Sequence, residues 1–181
     1  MKISNLLILT ASILGSSFAS AAIPDQGGTV HFKGTIVNAA CAISTESLDQ
    51  IVNLGQYRTA NFTTVGSLSN DVDFTIKLVD CDTDVSSTAT VKFNGATDAT
   101  DNTVLAVSSG TGTSGAATGV GIEISDAQGK ILTPNNIVES NAYTLNNGDT
   151  VLSFRARYKS TSVDVTPGEA NADATFVISY L

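Results

Sequence analysis

Residues Gly28 to Cys41 read GTVHFKGTIVNAAC. Val30, Phe32 and Ile36 fall on one side of an extended chain. Gly28 and Gly34 share that side and contribute no side chain. His31, Lys33 and Thr35 fall on the other. This period of two predicts a β-strand. The strand stands near the start of the mature chain, where a polypeptide is loose unless something ties it down. The expectation is therefore a strand ordered by pairing with another protein chain.

Upstream, residues 1–21 read as a secretory signal peptide. Lys2 supplies the positive start. Leu6-Leu7-Ile8-Leu9, continued by Ala11, Ile13 and Leu14, is an apolar run too short to span a bilayer. Ala19-Ser20-Ala21 is an A-x-A cleavage site, with cleavage after Ala22 the alternative. Residues 22–36 then form an N-terminal extension and residues 37–181 the domain. About 160 residues remain after the leader, enough for one sizeable core.

The chain of 181 residues carries a net charge of −8, with 9 Lys and Arg against 17 Asp and Glu. It has no basic cluster, which argues against nucleic acid and against an anionic membrane surface. Charged residues are 14% of the total, well below the usual quarter. So few charges on an exported chain suggest surface covered by other chains. Cys41 and Cys81 are an even pair behind a leader, which reads as a disulfide. Metal ligation or a free thiol pair are the alternatives, and a single histidine gives zinc little to bind.

Downstream, strand patterns recur. Val72-Phe74-Ile76-Leu78 alternates with polar residues up to Cys81. Thr88 to Phe93 repeats the pattern with Val91 and Phe93 inward. Val120-Ile122-Ile124, Leu152-Phe154-Ala156-Tyr158 and Phe176-Ile178-Tyr180 follow, and Gln50–Gln56 (QIVNLGQ) is a shorter candidate. Asn147-Gly148 is a hairpin signal. No segment shows a helical stripe over three turns. Short strands at intervals of roughly ten residues predict an all-β sandwich in one domain.

Motifs that could carry chemistry are thin. Gly110 to Gly115 matches G-x-G-x-x-G, but a strand pattern follows where a phosphate-binding helix is required. Asp80, Asp82 and Asp84 imitate the start of a calcium loop, whose later positions would need Gly and Glu where Val85 and Val91 stand. His31 is the one base of the usual catalytic type, and it lies on the polar side of the first strand. Arg155, Arg157 and Lys159 line one strand face and read as its wet side. No catalytic set, cofactor or metal site is expected.

GTVHFKGTIVNAAC at Gly28–Cys41, VNLGQYRTA at Val52–Ala60 and LVDCDTDV at Leu78–Val85 resemble the chaperone–usher pilins of Gram-negative bacteria. TLNNG at Thr144–Gly148, FRARY at Phe154–Tyr158 and PGEANADATFVISYL at Pro167–Leu181 extend the likeness, which is nearest to the major subunits of type 1 fimbriae. The resemblance implies an immunoglobulin-like sandwich that lacks its last strand. It implies a groove filled first by a periplasmic pilus chaperone and then, at an outer-membrane usher, by the extension of the next identical subunit. Minor tip pilins would be further partners, and the product would be a surface fimbria. The family pattern places a small glycine seven positions before the first cysteine, here Gly34. It places Gly28, Val30, Phe32 and Ile36 on the donated face. It places a glycine fourteenth from the end and a penultimate tyrosine, here Gly168 and Tyr180. Phe176, Ile178, Tyr180 and Leu181 then form the groove edge that the chaperone reads. The rival reading is a tip-associated adhesin or lectin module. The chain is too short for the extra binding domain of such adhesins, and it has no Trp for stacking on sugar.

Overall fold

The structure is a computed structural model that describes residues 27–110, 115–135 and 138–181. The leader lies outside the described residues, as does most of the Gly110–Gly115 motif. Two units are distinguished, one ending at Thr35 and one running from Ile36 to Leu181.

The second unit is the predicted all-β sandwich. Its strands are β1 (Ala42–Ile43), β2 (Val72–Cys81), β3 (Thr88–Gly95), β4 (Leu105–Ala106), β5 (Val120–Asp126), β6 (Tyr143–Thr144), β7 (Gly148–Ser160) and β8 (Ala174–Tyr180). One sheet has the order β1-β2-β7-β5-β4 and the other β6-β3-β8. All their pairings are antiparallel. A four-residue α-helix, Thr45–Leu48, follows β1.

Period-two patterning explains the core. Ile76, Leu78, Leu152 and Phe154 point inward from the larger sheet, and Ala89, Val91 and Phe93 from the smaller one; all are buried. Aromatic rings bridge the sheets. Phe93 meets Phe154 edge-on across the sheets at 5.3 Å between centroids, while within the larger sheet Phe74 stacks on Phe154 at 5.5 Å and within the smaller one Phe176 lies 6.4 Å from Phe93. Such pairs add about 0.5–1.5 kcal/mol each beyond their buried area. Cys41 and Cys81 form the disulfide, which joins the start of β1 to the end of β2.

Two expectations, at Gln50–Gln56 and at Asn147-Gly148, are corrected. In the single chain Gly28–Ile36 has no regular structure, and residues 27–39 are all exposed. The pattern is a strand's, but backbone N–H and C=O groups form a ladder only with a neighbour. Gln50–Gln56 likewise has no regular structure. Val52 and Leu54 are half-buried while Ile51 faces solvent, so the segment is apolar on one side without a strand beside it. Asn147-Gly148 is not a hairpin turn. β6 pairs with β3 and β7 pairs with β2 and β5, so the turn carries the chain from one sheet to the other. Gly148 has φ of +91°, which accounts for the glycine without a hairpin.

Candidate functional site

β8 is an edge strand. It pairs with β3 from Ala89↔Tyr180 to Gly95↔Ala174. Among the described residues nothing pairs with its other edge. Beside it lies a groove of about 460 Å³ lined by Leu48, Val52, Phe74, Ile122, Ile124 and Phe176. Phe176, Ile178 and Tyr180 are half-buried and pack against the main core, whereas Val177 faces outward. An apolar groove beside an open strand edge is the combination that natural sheets normally cover.

The far end of β8 is tied down. The Tyr180 hydroxyl donates to the Cys41 carbonyl at 3.2 Å, bridging the two sheets beside the disulfide. Burial pushes the Tyr180 phenol above its ordinary value. Leu181 donates its N–H to the Thr88 carbonyl at 2.9 Å. Its carbonyl oxygen accepts from Ser86 Oγ at 2.5 Å and Thr88 Oγ1 at 3.1 Å. Gly168 stands apart from these residues. It precedes β8 and presses on the backbone of Gly115–Ala117, where no side chain would fit.

In the first unit, the residues expected to be donated are exposed. Phe32 shows 93% of its surface and Val30 71%. Nothing lies within 4 Å of where a Gly34 side chain would begin. Exposed apolar residues in such a row mark an interaction surface. The structure places Phe176, Ile178 and Tyr180 on β8, with Leu181 directly after it. Gly28, Val30, Phe32, Gly34 and Ile36 share one stretch.

Arg155, Arg157 and Lys159 are more than a wet face. Arg157 donates from Nε and Nη2 to Glu123 Oε1 at 2.9 and 2.7 Å, and from Nη1 to Asp71 at 3.1 Å. Lys159 Nζ lies 2.8 Å from Asp101 and 3.5 Å from Glu123, and Arg155 pairs with Asp73. Burial works against both the Arg157 and Lys159 charges. The acids around them outweigh it and raise both above their ordinary values. Glu123, buried mid-strand on β5, gave no signal in the sequence because its partners lie on β7. The tie from Tyr180 to Cys41 was equally hidden. The groove lining at Val52 was signalled, in hindsight, by the apolar alternation of Val52 and Leu54.

An incomplete sandwich with an open apolar edge, in a chain that also carries an exposed apolar strand-length segment, defines a class: β-sandwich subunits of protein polymers. The family model for fimbrial protein matches residues 30–181. The chain belongs to that family of immunoglobulin-like pilins and is a structural subunit of a surface fimbria of the chaperone–usher type. It is 47% identical to the fimbrial subunit type 1 of Salmonella typhimurium over 181 residues, covering 96% of this chain and 97% of the relative. It is 48% identical to the type-1 fimbrial protein A chain of Escherichia coli K12, covering 99% of this chain and 100% of the relative. Among solved structures it is similar to a chaperone–usher pilus subunit, with TM-score 0.71, 32% identity, and 90% of this chain and 100% of the other covered. It is also similar to the P pilus rod subunit PapA, with TM-score 0.63, 28% identity, and 79% of this chain and 100% of the other covered.

Proposed function

We propose that this pilin polymerises by donating residues Gly28–Ile36 to the groove beside β8 of an identical subunit. The observation that carries this reading is the pairing of two incomplete features in one chain. An apolar row has no sheet, and an edge strand beside an apolar groove has one edge unpaired among the described residues. Burying Val30, Phe32 and Ile36 would contribute about 1.5–3 kcal/mol each before ordering costs. Pairing along β8 would also satisfy its open edge.

Antiparallel insertion, as in every pairing between the named strands, constrains the register. Directly opposed residues share a face, so the donated row must oppose Phe176, Ile178 and Tyr180. With Gly34 opposite Phe176, Phe32 meets Ile178, Val30 meets Tyr180 and Ile36 meets Ala174. This register sets a missing side chain against a phenyl ring and a bulky residue against a small one.

Before assembly, a periplasmic chaperone would fill the same groove with a strand of its own and read Phe176, Ile178, Tyr180 and the terminal carboxylate. An outer-membrane usher would exchange that strand for the next subunit's extension, and minor tip pilins would cap the rod. The subunit would thus cross the periplasm after losing residues 1–21.

Removing residues 22–36 tests this. The expected result, by electron microscopy and affinity capture, is a subunit that still binds its chaperone and forms no rods. Rods of ordinary length from the truncated chain would refute it.

A further inference from the structure

β-strand registers give the sandwich two distinct ends. Ala40, Cys41, Cys81, Thr88, Gly148 and Leu181 gather at one. At the other, Gly55–Thr59 faces Val165–Asn171 across a second cleft, of about 810 Å³. Its floor is a separate apolar cluster of buried Phe62, Ala117 and Val120, with half-buried Tyr57, Tyr158 and Val165. The Tyr57 and Tyr158 rings meet edge-on at 5.8 Å. Arg58, exposed, lies on the rim. Among the described residues Lys77, Lys92, Arg155, Arg157 and Lys159 all form ion pairs, whereas Arg58, like Lys33 and Lys130, forms none, and of these three it alone lines the cleft. Glu169 lines the same cleft but does not pair with it.

The opposite end presents a rigid turn, Asp82–Val85. Asp82 accepts the Val85 N–H on its carbonyl at 3.2 Å and the Asp84 N–H on Oδ1 at 2.9 Å. Thr83 donates from N and Oγ1 to Asn147 Oδ1 at 2.9 and 2.8 Å. The Asp82 N–H donates to the Ala40 carbonyl at 2.8 Å, which fixes the turn where the extension joins the body. The turn exposes Val85 next to Asp82 and Asp84, which form no ion pair among the described residues.

We infer that the cleft bounded by Tyr57, Arg58 and Val165 receives the Asp82–Val85 turn of a second copy of this chain, Val85 covering the aromatic floor and Arg58 pairing with Asp82 or Asp84. The inference rests on the strand-donation reading. A donor running antiparallel to β8 places its Ile36 beside Ala174, at the cleft end of the groove. Five further residues reach Cys41, a span of at most about 17 Å. The Cys41 end of the incoming copy therefore arrives at this cleft. The contact continues the groove interface, and it matches an unpaired cation to unpaired acids and an exposed apolar tip to an apolar floor. Glu169 makes the Arg58 side the favourable one for those acids.

Full-length chains carrying Arg58→Cys and Asp84→Cys together, assembled into rods and mildly oxidised, test it on SDS gels without reductant. The expected result is a ladder that survives boiling, with either single variant collapsing to monomer. A heat-sensitive ladder that boils to monomer in the double variant overturns the inference while leaving strand donation intact. No ladder even from unboiled, unsubstituted rods overturns strand donation instead. Charge exchange supplies the second measurement. Arg58→Glu should reduce rod assembly several-fold and Asp84→Arg in the same chain should restore it; assembly unchanged by Arg58→Glu counts against the pairing.

Discussion

Two stretches of this chain carry the same alternating pattern and have opposite fates. In Phe176-Ile178-Tyr180 the apolar residues are half-buried, one backbone edge is paired with β3, and the end is tied to Cys41. In Val30-Phe32-Ile36 the apolar residues are exposed and the backbone has no ladder. A period of two therefore specifies which face is apolar and says nothing about where the covering partner comes from. Half of a sheet edge was left open in one stretch, and a whole strand was left over in the other.

Substitutions in the two stretches and in the body separate folding from assembly. The largest effect belongs to the body. Replacing Cys41 and Cys81 together by Ala should destabilise folding by about 4 kcal/mol, as expected for a closed loop of this length, read by urea denaturation. A loss under about 1 kcal/mol would mean that the loop is held equally well by its packing. Phe32→Ala comes next and acts only between subunits. It should cost about 3 kcal/mol of polymer stability and leave the unfolding midpoint of the monomer unchanged. A shift of that midpoint would show that the extension packs on its own body. Gly34→Leu should weaken the polymer by about 2 kcal/mol through crowding, and Phe176→Ala should relieve it. If Phe176→Ala gives no relief, the register opposing Gly34 to Phe176 is wrong.

The smallest effect probes the outer face of the larger sheet. Burial disfavours the Asp101 carboxylate, but hydrogen bonds from Lys159 and Thr103 and the Lys159 charge outweigh it and hold its pKa below the ordinary 3.8. A carboxyl depressed in the folded state contributes stability above its unfolded pKa and loses it as pH falls through the folded one. Asp101→Asn should therefore cost about 1 kcal/mol at neutral pH and flatten the decline of stability below pH 3.8. Equal acid slopes for the two proteins would show that the pair contributes nothing.

The five longer strands were legible because each carries its pattern locally. β2, β3, β5, β7 and β8 all lie where alternation placed them. What the sequence hid depends on partners distant along the chain. Asn147-Gly148 has a hairpin's composition, but β6 and β7 belong to different sheets, which only the tertiary packing decides. Glu123 is buried because Arg157 and Lys159 reach across from β7. The second cleft was illegible because Tyr57, Phe62, Tyr158 and Val165 come from segments with no common period. The two halves of the candidate site were signalled by patterns at the two ends of the chain and by the family resemblance. Neither showed that Leu48 and Val52 line the groove.

The disulfide has a further consequence, mechanical in kind. In a rod joined by donated strands, tension enters each subunit as shear along β8 and leaves through its own extension, which meets the body at Ala40–Cys41. β1 has only two residues paired with β2, too short a ladder to carry a load by itself. The Cys41–Cys81 link passes that load covalently to the end of β2, which is paired with β7 over most of its length. A pulled rod would then yield between its subunits before any subunit unravels from its N-terminal side.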